Sequence, residues 1–277
     1  MQRLFLNLVV LFVGCLTMPA NLSAEDAADY FSRGNILQNN GDFDKAIAAY
    51  SQAVRIVDVS NPTHVAMIFS KRGTAWANKG NYDKAIADFD QALPLFDSKD
   101  VTSLATVWCW RGSAWASKGE YGKAIADLNQ ALAINPKYGN AFYNRGVSWY
   151  KAGEYGKAIA DYSQVLTFDP SYAQAYAGLA WIEATCPDEK YRDGKKAVEN
   201  ASKAYQRTER TNWHCICTLA AAYAESGDFE KAKEWQAKAV ELAAPDKSAT
   251  DKDRQEMRAR LELYKQGKPY REEMKRQ

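Results

Sequence analysis

Side chains suited to bond chemistry are few in this chain of 277 residues: two histidines, His64 and His214, and five cysteines. The two histidines stand 150 positions apart, so no motif pairs them for acid–base work. His214-Cys215-Ile216-Cys217 has the residue types of a metal or redox motif. On a helix, however, successive residues turn by about 100°, so Cys215 and Cys217 face nearly opposite ways. Structural zinc sites gather cysteine pairs at wider spacing from turns, and neither a metal nor a cofactor is expected. Arg33, Arg72, Arg111 and Arg145 recur in one register, which raises phosphate or nucleic-acid contact as a use for them. Yet acids and bases interleave throughout at a net charge of +2, without the basic patch and exposed stacking aromatics that nucleic acid requires. No glycine-rich phosphate loop, paired-acid motif or activated serine stands out. The chain reads as non-catalytic and as having no nucleic-acid partner.

What positions these residues is a spacing rule met five times: a small residue, a glycine seven positions on, an aromatic two further, and an alanine five after that glycine. It is seen in Gly34/Gly41/Phe43/Ala46, Gly73/Gly80/Tyr82/Ala85, Gly112/Gly119/Tyr121/Ala124, Gly146/Gly153/Tyr155/Ala158 and Ala220/Gly227/Phe229/Ala232. A repeat of this length is the mark of a stacked array. Within each unit a glycine stops one helix and an acid opens the next, as in Asp42-Phe43-Asp44, so the unit is a helix, a tight turn and a helix. Gly73, Gly112 and Gly146 fall mid-helix despite costing about 1 kcal/mol against alanine. A penalty repeated so regularly implies close packing, here expected against the backbone of the opposing helix. Phe69, Trp108, Phe142 and Tyr176 on one side, and Trp76, Trp115, Trp149 and Tyr223 on the other, share a helical face. They are expected to form the core with Tyr50, Phe89, Leu128 and Tyr162. The recurring arginines are then expected to pair between repeats.

The pattern resembles the tetratricopeptide repeat, a 34-residue helix–turn–helix unit. Two stretches carry the match throughout: Trp108, Gly112, Tyr121, Ala124, Leu128 and Pro136, then Phe142, Gly146, Tyr155, Ala158, Tyr162 and Pro170. The resemblance implies an all-α fold, a right-handed α-solenoid of about six repeats closed by a C-terminal capping helix. The equivalent small residues Gly34, Gly73, Gly112, Gly146, Ala180 and Ala220 give units at about 27–65, 66–104, 105–138, 139–172, 173–212 and 213–246, an array over 27–245. The first two carry about a turn of extra residues near Val57 to Val65 and Phe96 to Leu104. The fifth has a lengthened turn from Cys186 to Gly194. Met257, Leu261 and Tyr264 give residues 250–265 one apolar face, read as a cap over the last repeat, with a membrane-surface or partner-binding helix as the alternative. Residues 266–277 are expected to be a flexible tail.

Residues 1–24 follow a different logic: Arg3, an apolar run from Leu4 to Leu16, and Asn21-Leu22-Ser23-Ala24 fit an export signal cleaved after Ala24. An uncleaved anchor and lipidation at Cys15 remain alternatives. The expected location is the periplasm or outside the cell, with no membrane span after cleavage. Of the cysteines retained, Cys109, Cys186, Cys215 and Cys217, either all are small buried core residues or Cys186 bridges to one of the last two.

In the family, ligands contact first-helix positions that line a concave groove. Carried over, these are Asn35, Gln38 and Asn39; Ser70, Lys71, Thr74 and Asn78; and Thr106, Cys109, Trp110, Ser113 and Ser117. The later repeats add Asn140, Tyr143, Asn144, Val147, Tyr150 and Lys151, then Gln174, Trp181, Thr185, His214 and Cys217. Amides, hydroxyls and aromatics with little charge suit a peptide or protein partner, whose backbone they hydrogen-bond while Tyr143 and Trp181 anchor it. The alternative for any one position is a solvated helix face. The family's clamp for a terminal carboxylate is absent, its positions holding Phe31, Asn35, Lys71, Thr106 and Trp110. The expected function is a non-catalytic binding scaffold of the bacterial cell envelope. A structural subunit docked through its C-terminal repeats and cap is the alternative, with an enzyme or enzyme accessory a distant third.

Overall fold

The computed structural model describes residues 24–208 and 211–273, so most of the segment read as an export signal, Cys15 included, lies outside the described residues. The described residues form α-helices and two short 3-10 turns, without a strand. They divide into two compact units at Glu120. The first holds α1 (Ala24–Asn39), α2 (Phe43–Ile56), α3 (Pro62–Asn78), α4 (Tyr82–Ala92) and α5 (Val101–Ser117). The second holds α6 (Tyr121–Ile134), α7 (Gly139–Lys151), α8 (Tyr155–Phe168), α9 (Ala173–Thr185), α10 (Gly194–Arg207), α11 (Trp213–Glu225), α12 (Phe229–Ala243) and α13 (Asp251–Lys265). In each unit a helix packs on its sequence neighbours, and first helices touch the next first helix: α1 on α3, α3 on α5, α9 on α11.

Local signals set these boundaries. After α3, Gly80 turns left-handed with φ of 82°, its N–H bonding to Ala77 O and that of Asn81 to Trp76 O. Two carbonyls otherwise orphaned at the helix end are thereby satisfied. After α7, Gly153 and Glu154 repeat the arrangement onto Tyr150 O and Trp149 O. Side-chain caps start the next helices: Asp100 accepts from Ser103 N–H, Asp193 from Lys196 and Asn212 from Cys215. The overlong handovers become an added amino-terminal turn. Helices α3 and α5 run 17 residues each, against 13 for α7, α9 and α11.

The mid-helix glycines make room for a ring, and not for the opposing backbone. A Cβ on Gly34 would sit 2.5 Å from the Tyr50 ring, one on Gly73 2.7 Å from Phe89, and one on Gly146 2.7 Å from Tyr162. Tyr162 is held on its other edge by Gly178 at the same 2.7 Å. Tyr50, Phe89, Leu128 and Tyr162 are almost fully buried and are the true core aromatics and apolars. The outer aromatics differ from expectation. Apart from Phe69 they are half-buried, and each also serves as a platform for a cation. Arg72 lies over Phe69, Arg111 over Trp108 and Arg145 over Phe142, while Lys84 covers Trp76 and Lys157 covers Trp149.

The recurring arginines also depart from simple pairing between repeats. Arg72 grips Asp88 through Nε and Nη2 at 2.8 and 2.7 Å, inside its own helix pair, and Nη1 reaches back to Ser51 of α2 at 3.2 Å. Arg145 does the same with Asp161 and with Asn129 of α6. Arg111 reaches Asp90 of the preceding pair. Arg33 is exposed. The position matching Asp88 and Asp161 is Ala49 there, so the first repeat lacks the acid. Burial raises the Asp88 pKa above its ordinary value, outweighing the adjacent Arg72. Such a pair specifies geometry more than it adds stability.

Between α9 and α10 the lengthened turn contains a 3-10 turn, Glu189–Tyr191, tied down by Arg192, which donates to Cys186 O and Pro187 O and pairs with Glu225 of α11. Helix α13 opens on a reciprocal capping box between Thr250 and Asp253. Its apolar face packs inward, with Met257 against Trp213, Ile216 and Ala239, and Tyr264 against Ala220 and Ala232. Arg271 and Glu272 are held as well, against the end of α9, within the stretch expected to be a flexible tail. Among the described residues no helix is long and apolar enough to cross a membrane.

Two stability measurements follow from this packing. Gly146→Ala should lower stability by about 1–3 kcal/mol in thermal melts followed by circular dichroism, because ring overlap exceeds the propensity gain. Gly122→Ala, with nothing within 4 Å of its Cβ, should be neutral or gain up to about 1 kcal/mol. Removing only the acid, Asp161→Ala, should cost about 3 kcal/mol, whereas Arg145→Met with Asp161→Leu should restore most of the loss.

Candidate functional site

In the second unit the first helices α7, α9 and α11 bound a hollow of about 550 Å³, within the size range of sites that hold a ligand or a few peptide side chains. Its walls come from Tyr143, Val147, Tyr150 and Lys151 of α7, Gln174, Gly178 and Trp181 of α9, and His214, Cys215 and Thr218 of α11, with Thr208 and Asn212 at the rim. The Tyr162 ring, seated between Gly146 and Gly178, forms part of the wall. The contact that fixes the helix crossing therefore also shapes the hollow.

A layer of aromatics holds the wall in place. Tyr143 stands between Tyr162 and Tyr172, with centroids 5.7 and 5.4 Å away, and the Tyr172 hydroxyl donates to Asn140 at 3.0 Å. Tyr150 meets Tyr155 edge-on. The Trp181 indole N–H donates to the Tyr150 hydroxyl oxygen at 2.8 Å and to the Glu272 carboxylate at 3.0 Å. His214 stacks on Trp213 with centroids 3.4 Å apart.

The electrostatics favour a neutral lining. Burial raises the pKa values of the Tyr143 and Tyr162 hydroxyls, and burial with the nearby Glu272 carboxylate raises that of Tyr150, so all three remain protonated at neutral pH. Burial lowers the His214 pKa against the opposing pull of Asp253 and Asp246, favouring neutral imidazole. Lys151 supplies the one lysine of the lining. Hydroxyls, an amide and imidazole around aromatic walls can hydrogen-bond a peptide backbone and seat apolar side chains. Among the described residues no group of three or more His, Cys, Asp or Glu side chains is arranged to hold a metal. Cys109, Cys186, Cys215 and Cys217 are buried free thiols, and the bridge from Cys186 is absent. Cys215 lines the hollow while Cys217 lies 3.7 Å from Gln236 Nε2 of α12, so the two face different ways as the helical turn requires.

The structure sorts the residues expected to line a groove. Tyr143, Tyr150, Lys151, Gln174 and Trp181 come together at the hollow. Asn140 is engaged by Tyr172 and Asn144 accepts from Ser148 through its carbonyl, and neither lines it. In the first unit Asn35 and Gln38 both accept from the Tyr50 hydroxyl, at 2.8 and 3.1 Å, and Gln38 donates to Thr74. Burial pushes the Tyr50 pKa up to about 12, so its proton is available to those two amides, which act as core supports. Lys71 lies over the Trp110 ring, Ser113 donates to Cys109 O, and Asn39 and Asn78 are exposed. Sequence reasoning missed Ala177, Gly178, Thr208, Asn212, Cys215 and Thr218 of the hollow, where it had expected Thr185 and Cys217, and Tyr270 and Glu272 against Trp181. Gly178 carried a signal, a small residue four positions before Ile182 on a helix that already had Ala180 in the expected place. The tail residues carried none.

Tetratricopeptide repeat models match residues 26–98, 139–172 and 214–246, and a TPR repeat model matches 112–153. The chain is a tetratricopeptide repeat protein. Its helical-repeat fold is similar to that of a tetratricopeptide repeat protein from Parabacteroides merdae ATCC 43184, at 19% identity and a TM-score of 0.60, covering 87% of this chain and 99% of that one. It is also similar to PilF of Pseudomonas aeruginosa, at 16% identity and 0.64, covering 85% and 97%. The type IV pilus biogenesis factor PilW is similar at 19% and 0.64, covering 83% and 98%. At such identities the likeness is one of fold. No curated protein matches the sequence. Repeats of this family are protein-interaction scaffolds, and unmatched residues 173–213 coincide with the fifth helix pair and its long turn.

The lowered His214 pKa gives a pH dependence with a defined sign. Its stabilising contribution is present above the ordinary value of 6.5 and is lost as pH falls through the lower folded value, since the unfolded chain binds the proton first. Chemical denaturation from pH 7.5 to 5 should show this loss, and His214→Gln should flatten the profile over that window.

Proposed function

We propose that this tetratricopeptide repeat protein is a non-catalytic scaffold that binds an extended peptide segment of a partner protein in the hollow between α7, α9 and α11. The observation that carries the reading is the composition of that hollow: Tyr143, Tyr150, Trp181 and His214 converge with Gln174 and Lys151 around about 550 Å³. Aromatics held rigidly in a wall give a large contact area at low entropic cost, and the amide and hydroxyls fix a backbone without demanding charge. Binding is reversible capture in which no bond is made or broken. A second hollow, between α12 and α13, is rimmed by charges that already pair locally, such as Lys233 with Glu230 and Lys265 with Glu262, and it suits solvent better than a ligand.

The apolar run from Leu4 to Leu16 and the segment Asn21-Leu22-Ser23-Ala24 before Glu25 support export, so the proposed place of action is the periplasm or outside the cell.

Gln174 is exposed and Lys151 sits at the rim, so both can be changed without opening the core. Peptides selected from a random display library on the whole protein should bind with roughly micromolar Kd. The Gln174→Ala, Lys151→Ala double variant should weaken them by about tenfold, a change of about 1.4 kcal/mol. Unchanged affinity in a variant that melts normally sinks this reading.

A further inference from the structure

The segment that follows α13 lies against Trp181, at one edge of the hollow. Beyond α13, residues 270–272 contact the carboxyl-terminal parts of α9 and α11. Each consecutive residue from Tyr270 to Glu272 makes its own contact. The Tyr270 ring lies 6.1 Å from that of Trp181, with the Arg260 guanidinium over both. Arg271 pairs with Glu225 of α11 and donates to Ala184 O. Glu272 accepts the Trp181 indole N–H at 3.0 Å, and its own backbone N–H donates to Thr185 O at 3.0 Å. The site waiting for this segment is built by the rest of the fold. Helix α9 ends at Cys186-Pro187 without a glycine to fold back on its last carbonyls, so those of Ala184 and Thr185 need donors from elsewhere. Glu225 is prepared by Arg192 of the long turn. Trp181 and Tyr150, which receive the Glu272 carboxylate, also line the hollow.

We infer that the ends of α9 and α11 form a docking site for an extended peptide carrying an aromatic, a basic and an acidic residue in succession, and that Tyr270-Arg271-Glu272 holds this site in cis until such a partner displaces it. The inference rests on the reading that the hollow beside Trp181 binds peptide, and it names the chemistry at one end of that site. Its logic is that of an extended strand recognised through backbone donors and alternating side-chain contacts. A segment tethered by the short Gln266–Pro269 link competes at a roughly millimolar effective concentration, so a partner with more contacts in the hollow wins the exchange. Both ends of the site then change together. As Glu272 leaves, the Trp181 N–H and Tyr150 hydroxyl turn to the incoming acid.

The probe is a labelled, end-capped peptide of sequence Gly-Lys-Pro-Tyr-Arg-Glu-Glu, matching residues 267–273, added to the full chain. With Tyr270→Ala, Arg271→Ala and Glu272→Ala combined, fluorescence anisotropy should show binding at least about tenfold tighter than to the unaltered protein, as the tethered competitor is removed. Adding Trp181→Phe, or replacing the first of the peptide's two glutamates, the one matching Glu272, by glutamine, should lose that gain. Equal binding to both proteins overturns the inference. Hydrogen exchange on the unaltered protein gives a reading that does not depend on the variant folding. The Tyr270–Glu272 amides should open well below the free energy of global unfolding, and faster exchange should follow when an unlabelled peptide is present in excess. Exchange of these amides only by global unfolding makes the segment a permanent helix cap and overturns the inference. If display-selected peptides still bind through Gln174 and Lys151 in either of those outcomes, the reading of the hollow survives and this one alone fails.

Discussion

The structure depends on a contact between a glycine on one helix and an aromatic ring on the next. Gly34 against Tyr50, Gly73 against Phe89 and Gly146 against Tyr162 leave no room for even one added carbon. The loss of helix propensity is offset by burying a large ring completely, which is worth more than the penalty of a single glycine. Because interiors pack at crystal-like density, the ring and glycine together set how closely the two helices cross. Around that contact the remaining features fall into a layer order: buried ring, then an arginine gripping an acid of the paired helix, then an outer aromatic beneath the cation.

The same contact reaches the candidate site. Tyr162 is seated between Gly146 and Gly178, its ring contributes to the wall of the hollow, and it positions Tyr143, which in turn stacks on Tyr172. A core interaction that is repeated for structural reasons thus becomes, in the second unit, part of a surface able to hold a ligand. The first unit follows a different course with the same parts. There the Tyr50 hydroxyl is answered by Asn35 and Gln38, so amides that would otherwise be available to a ligand are committed to the core.

Paired charges show how a single residue alters one repeat without disturbing the rest. Where Asp88 and Asp161 receive their arginines through two nitrogens, the first repeat carries Ala49, and Arg33 stays in solvent. Each repeat buries its own faces against its neighbours, so such a loss remains local. It is therefore also at single positions, rather than in the shared pattern, that binding chemistry can diverge.

Much of the fold was legible because helix length, glycine stops and capping residues act over a few neighbouring positions, and the chain records them directly. The inward face of Met257 and Tyr264 and the opposed Cys215 and Cys217 follow from a period of 3.6 residues, and the left-handed glycines that divide the helix pairs from the absence of a Cβ. The site was legible in part. Tyr143, Tyr150, Lys151, Gln174 and Trp181 could be named from their register, since register fixes which face of a first helix a residue occupies. What register leaves open is whether a side chain on that face is already engaged. Tyr50 taking Asn35 and Gln38, Tyr172 taking Asn140, and Glu272 taking Trp181 across 91 positions are pairings between distant segments. Hydrogen bonds of that kind depend on where whole helices end and how closely they cross, and only the assembled tertiary structure decides that.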